Sequence, residues 1–398
     1  MNKSILKFFA IYFGFTVTSN FVHAVTPAFL EMIAAPSYIQ GTAFSVMSFF
    51  SFLTAPFWGK MGDRKPYPAM ISLGFFGYAL GQFIFASAHS VSTLLLARTV
   101  SGLLNGALQV NTLAYLISVS TAENRGKYMA WYAMLQSVGT CVGYFVGGSI
   151  GDYSVMLVFY LQIGAVVTLG ILTPIVLKDA PGRTLESGRI DFAEINPISS
   201  MFSSLKKIDG ALAVYLSTVF CFGFAMMAYD NYFSYFLRDQ LGFPPSVNGY
   251  FKALIGVIAI VANSTINLWI NKHTDVRRSI SVILGMSALA VATMVTFGDS
   301  VPAFMVSALV YYTFNAITVP VLQVMMMKDE DKSNAGLISG LYNAFLSLGR
   351  TFGPLLAAFV YGLNPLYPFM LAAAVYALAA VLTVINKRQY DHRVRRTA

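Results

Sequence analysis

Ser137-Val-Gly-Thr-Cys-Val-Gly-Tyr-Phe-Val-Gly-Gly148 lies inside a long apolar segment, and the fold prediction starts from its glycines. Gly139, Gly143 and Gly147 recur at every fourth residue, so on a helix they form one stripe, with Gly148 beside its end. In lipid, stripes of small residues let two helix backbones approach closely. The simplest interpretation of the stripe is therefore a helix–helix contact.

A second copy of the stripe lies downstream, in Gly349-Arg-Thr-Phe-Gly353-Pro354. Gly349 and Gly353 follow Gly139 and Gly143 at the same separation along the chain. A recurrence across about half of the polypeptide predicts two structurally related halves, as in many secondary transporters.

The composition is that of a membrane protein. Of 398 residues, 57% are hydrophobic and 11% are charged, whereas soluble proteins are about 25% charged. We predict an all-α membrane protein with twelve transmembrane helices in two pseudo-symmetric six-helix bundles, because apolar runs of about 20 residues recur throughout. The predicted spans are 6–32, 42–59, 69–88, 92–119, 128–150, 154–177, 211–237, 247–270, 279–297, 302–326, 335–361 and 365–386.

The predicted domains are an N-terminal bundle over 1–177, a cytoplasmic linker over 178–210, and a C-terminal bundle over 211–398 with a basic tail. The first apolar run continues past a signal-peptide-like start, so we expect a retained helix. Cys141 and Cys221 both lie in apolar runs and are interpreted as small buried residues. We expect neither a disulfide nor a metal site.

Lysine and arginine are retained on the cytoplasmic side of membranes. With the N-terminus inside, the predicted outer segments contain a single lysine or arginine, Arg238. Three more cationic residues, Arg98, Lys252 and Arg350, fall within spans. Both termini are therefore predicted to be cytoplasmic. The basic tail from Lys387 to Arg396 reads as a topology anchor near anionic lipid, and no nucleic-acid partner is expected.

Two loop and helix motifs resemble those of the major facilitator superfamily. Gly59, Asp63 and Arg64 match the superfamily's loop motif after the second span, although Pro66 stands where a glycine is usual. Arg98 followed by Gly102 is similar to its fourth-helix motif. The resemblance implies that the loop latches one half against the other at the cytoplasmic rim, although a solvated turn is an alternative.

The first glycine stripe resembles the fifth-helix motif of the drug:proton antiporter branch. Gly139, Gly143, Gly147 and Gly148 match, Tyr144 replaces the motif's proline, and the second copy keeps Pro354. This resemblance implies transport by alternating access, driven by the proton motive force without a cofactor.

Polar residues at helical spacing form stripes along several spans. In the superfamily, spans one, four, seven and ten line the central cavity, and all four carry such stripes here. The candidate substrate-cavity residues are Asn20, Asn105, Gln109, Gln136, Met227, Tyr229, Lys252, Tyr311, Asn315, Asn343 and Arg350.

Four residues are candidates for proton coupling: Asp230, His23, Glu31 and Arg98. Asp230 lies deep in span seven, where it either exchanges a proton or forms an ion pair with Lys252. His23 is a titratable group or a hydrogen-bonded cavity residue. Glu31 is near the predicted outer mouth of the cavity, where it either takes part in proton coupling or is simply solvated. Arg98 stays charged and is expected to tune a carboxylate or an anion.

The sequence thus predicts a monomeric, proton-coupled exporter of lipophilic or amphipathic small molecules in a bacterial cell membrane. The alternatives are an exporter or flippase of one metabolite, sugar or glycolipid, and an uptake symporter. A nucleotide-binding loop of the G-x-x-x-x-G-K-[ST] type is absent from the sequence, which disfavours an ATP-driven pump. Its four histidines form no H-E-x-x-H pair, so an enzyme is not expected.

The predicted topology is tested with reporters fused to the C-terminus. Because the cationic loops hold that end in the cytoplasm, a fluorescent protein should be fluorescent there, and an alkaline phosphatase should be inactive. An active phosphatase would place the C-terminus outside the cytoplasm and contradict the predicted topology.

Overall fold

The structure is a computed structural model that describes residues 3–121, 123–179, 183, 185, 210–297, 300–327 and 335–397. Every regular element in these ranges is a helix. The helices are α1 Lys3–Ser19, α2 Phe21–Met32, α3 Tyr38–Arg64, α4 Tyr67–Ala86, α5 Val91–Ser118, α6 Arg125–Gly151, α7 Val155–Val176, α8 Gly210–Asp239, α9 Pro245–Ala262, a π-helical turn Asn263–Asn267, α10 Leu268–His273, α11 Val276–Thr296, α12 Val301–Met327, α13 Ala335–Tyr361 and α14 Tyr367–Thr397.

The helices confirm the all-α, membrane-spanning prediction. Span one corresponds to α1 followed by α2, and span eight corresponds to α9, the π-helical turn and α10. Within the described ranges, ten helical segments are long and apolar enough to cross a membrane. The remaining two spans correspond to α3 and α6, which have 27 residues each and exceed the length of about 20 that a crossing needs.

Contacts divide the chain into two compact units. Unit 1 comprises Met1–Pro36, Val46–Ser200 and Leu237–Gly256, and unit 2 comprises Ser37–Ser45, Met201–Phe236 and Val257–Ala398. Each unit therefore takes most of its helices from one half of the chain. The predicted linker at 178–210 lies mostly outside the described residues, so the domain boundaries stay a prediction.

In unit 1, α4 packs between α5 and α7, and α6 packs along α1 and α2. The core of this unit includes Phe8, Phe75, Leu108 and Tyr115, which are almost fully buried. Large aromatic side chains supply much of the buried area, and their offset and edge-on contacts favour one arrangement over others.

The first glycine stripe forms the contact between α6 and the α1–α2 segment. Gly139 lies against Thr16, Gly143 against Val17, and Gly147 against Phe21, so that a Cβ at any of the three would collide with its neighbour. At the C-terminal end of the stripe, Gly148 lies against Gly249 of α9, also in unit 1. The predicted close helix contact is thus present.

The second stripe makes the equivalent contact in unit 2. Gly349 and Gly353 of α13 lie against the backbone of Phe220 and Phe224 on α8, and Gly223 of α8 meets the Leu346 carbonyl in return. The fifth span therefore packs on the first, and the eleventh packs on the seventh. The repeat seen in the sequence corresponds to a repeated helix pair.

Replacement of Gly353 by alanine is expected to destabilise the protein, because the added methyl group would collide with the Phe224 carbonyl. Overpacking of this kind costs about 1–3 kcal/mol. The measurement is the thermal unfolding midpoint of the purified protein in detergent. Gly285→Ala on α11 is the matched control, since no atom lies within 4 Å of its added Cβ. Equal midpoints for the two variants would contradict the proposed contact.

Candidate functional site

Asp230 on α8 is hydrogen-bonded to a buried tyrosine in unit 2. The Tyr312 hydroxyl on α12 donates to Asp230 Oδ1 at 2.7 Å. The Asp230 side chain is partly buried, and Tyr312 is buried. Sequence reasoning named Asp230 but missed Tyr312, because a tyrosine in an apolar run carries no sign of its partner.

Tyrosines from three helices surround this aspartate. The rings of Tyr229 and Tyr311 have centroids 3.9 Å apart, and the hydroxyls of Tyr311 and Tyr376 are 2.8 Å apart. Tyr376 in turn donates to Asn315 Oδ1 at 3.4 Å. The structure therefore brings three predicted cavity residues together, and it adds Tyr376 of α14, which was missed. Tyr229 and Tyr311 are fully buried, so they belong to the packed interior of the unit.

Arg98 of α5 is buried in unit 1, with 6% of its surface exposed. Its Nη1 lies 3.4 Å from Gln82 Oε1, and its guanidinium lies 3.9 Å from the centroid of the Phe85 ring. Among the described residues of this unit, no carboxylate pairs with it. Arg98 was expected to tune a carboxylate or an anion. The partners that the structure shows are the Gln82 amide, the Phe85 ring and the Met47 sulfur, which lies 4.0 Å from Nη1.

A cluster of polar side chains lies where α6 meets α2 and α9 in unit 1. Asn20 Nδ2 donates to Thr140 Oγ1 at 3.3 Å. The His23 ring stacks on Tyr144 with centroids 6.3 Å apart, and Lys252 Nζ lies 5.9 Å from the centroid of the same ring. Tyr144, which stands where the motif's proline was expected, thus contacts two predicted site residues.

Glu31 lies at the C-terminal end of α2 and forms an ion pair with Arg238, near the end of α8. Its side chain is 57% exposed. Nearby, the Ser246 N–H donates to Asp152 Oδ1 at 3.0 Å, and Asn248 Nδ2 donates to the Ala24 carbonyl at 3.2 Å. These long-range contacts were not predicted, since their members are far apart in the sequence.

The remaining candidates differ in exposure. Asn105 is buried, Met227 is partly buried, and the side chains that reach the surface are Gln109, Gln136 and Asn343. Met227 accepts a hydrogen bond from Asn231 Nδ2 through its carbonyl at 3.1 Å. Arg350 on α13 is partly buried, with an enclosed Nε. The pairing of Asp230 with Lys252 stays a prediction.

The motif from Gly59 to Arg64 forms the end of α3. Arg183, from the segment after α7, hydrogen-bonds the Gly62 carbonyl, and its guanidinium lies 3.4 Å from the centroid of the Tyr67 ring. Arg183 also pairs with Asp179 at 2.9 Å. An arginine that sequence analysis had not singled out therefore holds this predicted loop. Gly102 of the second motif packs against the Met47 carbonyl, which brings α5 close to α3.

Asp275 lies before α11, at the position that corresponds to this loop in the second half. Partial burial acts to raise the pKa of its carboxyl. The hydrogen bonds from Lys387 and the Arg277 N–H, with the charges of Lys387 and Arg278, outweigh that effect and lower the pKa below its ordinary value of 3.8. The Lys387 Nζ–Asp275 Oδ2 distance is 2.8 Å, so α14 is tied to the start of α11.

Comparison with known proteins gives one family. The profile of the Major Facilitator Superfamily matches residues 7–274 and 269–397. Multidrug resistance protein 2 of Bacillus subtilis (strain 168) is 23% identical over 367 residues, which cover 92% of this chain and 90% of that protein. Quinolone resistance protein NorA of Staphylococcus aureus (strain COL) is 22% identical over 405 residues, which cover 99% of each chain.

Solved structures share the fold. A crystal structure of the nucleoside transporter NupG aligns with a TM-score of 0.75 at 12% identity, covering 97% of this chain and all of that one. At this identity the likeness concerns the fold alone.

Replacement of Asp275 by asparagine is expected to lower stability at pH 7 by less than about 1 kcal/mol, because the side chain is 48% exposed. A carboxyl whose pKa is lowered on folding stabilises the protein above its ordinary pKa, and this stabilisation is lost as the pH falls through the lowered value. Unfolding midpoints of the wild type and the variant should therefore converge as the pH falls below 3.8. Glu123→Gln, at an exposed loop position, should show no such convergence. A pH-independent difference for Asp275→Asn would contradict this role.

Proposed function

The chain belongs to the Major Facilitator Superfamily, and we propose that it exports amphipathic small molecules in exchange for protons. It is a multi-pass membrane transporter of small molecules and not an enzyme. The names of its bacterial relatives, which refer to multidrug and quinolone resistance, support the export of drug-like compounds. A monomer in the cell membrane of a bacterium, with both termini cytoplasmic, is part of the proposal.

The observation that carries the proton-coupling proposal is the Asp230 carboxyl with its Tyr312 donor in a membrane-spanning helix. An ionised carboxylate at the centre of a span costs about 2.5–3.5 kcal/mol on insertion scales. Protonation removes that cost, whereas approach of a cation offsets it. A carboxyl that alternates between these two partners links the passage of a proton to the passage of a cationic substrate.

Alternating access follows in this proposal from the repeated helix pairs. Each half contains one copy of the repeated glycine stripe. In this proposal each half moves as a rigid bundle, and the substrate is exposed to one side of the membrane at a time. The inward movement of one net charge across 100 mV supplies about 2.3 kcal/mol, which is available to drive export.

A second candidate is an exporter or flippase of one specific metabolite, sugar or glycolipid. It is favoured by Arg350, a cation within a span, and by the amide of Asn315 beside Tyr376. Uptake by symport is a third candidate that the same residues allow.

The proposed exchange is tested in proteoliposomes loaded with a pH-sensitive dye. Addition of several unrelated lipophilic cations should move protons through the wild type, and Asp230→Asn should abolish this movement, since the amide cannot exchange a proton. Asp239→Asn is the matched control on the same helix, at an exposed position, and it should retain the response.

Two results would contradict the proposal. Proton movement in the Asp230→Asn variant equal to that of the wild type would remove Asp230 from the coupling. A wild-type response to a single sugar or lipid, with none to the cations, would favour the second candidate.

A further inference from the structure

Arg350 is a permanent charge near the middle of a membrane-spanning helix. It lies on α13, which runs from Ala335 to Tyr361, and the residue is partly buried. Arginine does not deprotonate in proteins, so it cannot avoid burial of its charge by becoming neutral. In a span it needs a partner or a water-filled cavity.

Among the described residues, Arg350 lacks the kinds of partner that Arg98 and Arg277 have. Arg98 meets Gln82 and the Phe85 ring in unit 1. In unit 2, Arg277 Nη1 lies 3.3 Å from Asn386 Oδ1, and its guanidinium lies 3.5 Å from the centroid of the Tyr390 ring. For Arg350, within the described part of unit 2, Nε is enclosed without an acceptor, and no carboxylate pairs with the guanidinium.

A second donor without an acceptor lies on the same helix. The hydroxyl of Tyr342 is enclosed and has no hydrogen-bond partner among the described residues, and Tyr342 is only 2% exposed. It precedes Arg350 by about two helical turns, roughly 12 Å along the helix axis. Both side chains are long enough to shorten that separation, and they interact electrostatically. Two enclosed donors on one helix, both without an acceptor among the described residues, call for a physical explanation, and an anionic ligand is one that would satisfy them.

The glycine contact holds the backbone of this pair in place. Gly349 and Gly353, on either side of Arg350, lie against the backbone of α8, and a Cβ added at Gly223 of α8 would lie 3.5 Å from the Arg350 backbone nitrogen. The arginine therefore cannot leave the interior by a shift of its helix without loss of the packing that joins α13 to α8.

We propose that Arg350 and Tyr342 bind the anionic head group of an amphiphile, a carboxylate or a phosphate, inside unit 2. A guanidinium donates two parallel hydrogen bonds to such a group, and a phenol can add a third. Where the amphiphile is a transported molecule, the site extends the proposed function from lipophilic cations to acidic and zwitterionic compounds, and in that case it rests on the proposed export.

The test is equilibrium binding to the full-length protein, purified and placed in nanodiscs of phosphatidylcholine. The probes are an aromatic carboxylate amphiphile, its uncharged amide and its ammonium counterpart. We expect the wild type to bind the carboxylate about ten-fold more tightly than the amide, as charge-assisted hydrogen bonds predict. Arg350→Gln should abolish this preference, whereas Arg350→Lys should keep part of it.

Two controls separate this site from general charge effects and from misfolding. Arg278→Gln removes an arginine whose side chain is 78% exposed, and it should leave the preference unchanged. The unfolding midpoint of Arg350→Gln without ligand should equal or exceed that of the wild type, because the substitution removes a charge that has no partner among the described residues of unit 2. Loss of the preference together with a lowered midpoint would indicate a structural role and overturn the proposal.

Nanodiscs that contain phosphatidylglycerol distinguish the two sources of the anion. Competition by this lipid against the carboxylate probe would identify a lipid head group as an occupant of the same site. Equal wild-type affinity for the carboxylate and the amide, with no effect of the lipid, would overturn the proposal.

The outcomes for this site and for the exporter are separable. Carboxylate binding without proton-coupled transport by the wild type would leave the site standing and refute the exporter. Proton-coupled transport of cations without a binding preference for the carboxylate would support the exporter and refute the site.

Discussion

The close approach of helix backbones at the two glycine stripes is the contact on which the rest of the structure depends. Lipid tails are as apolar as leucine, so helices in a membrane gain little from burial of apolar surface and associate through packing and hydrogen bonds. Gly143 lies against Val17, and Gly353 lies against Phe224. Because α8 and α13 are held together in this way, the backbone positions of Asp230 and Arg350 within unit 2 are set by packing.

Within this packing, the buried polar groups are satisfied largely by amides, hydroxyls and aromatic rings. Arg98 is paired with an amide and a ring, Asp230 accepts from a phenol, and Tyr376 joins Tyr311 to Asn315. Tyrosine suits such an interior, since its ring packs as an apolar group while its hydroxyl finds a hydrogen-bond partner. The Nε of Arg350 and the hydroxyl of Tyr342 are enclosed donors that have no acceptor among the described residues of unit 2.

Whether a site residue could be identified from the sequence depended on the chemistry of its side chain. Asp230, Arg98 and Arg350 were identified because an ionisable residue in an apolar run is costly and therefore informative. Tyr312 and Tyr376 were not identified, since the chain contains 22 tyrosines and a tyrosine in such a run is unremarkable. Arg183 and Arg238 were also missed as contact residues, because a basic residue in a loop reads first as a topology signal.

The sequence by itself determined the helical, membrane-spanning class, the positions of the spans and the two glycine stripes that pack them. Length, apolar composition and four-residue spacing are local properties, and one stretch of chain is enough to reveal them. Only the tertiary structure decided that Tyr312 meets Asp230 and that Arg183 holds the carbonyl of Gly62. It also decided that Arg350 Nε has no acceptor among the described residues, whereas Arg98 Nη1 has Gln82. Each of these facts depends on side chains from helices far apart in the chain, and their distances are set by packing, which no local pattern encodes.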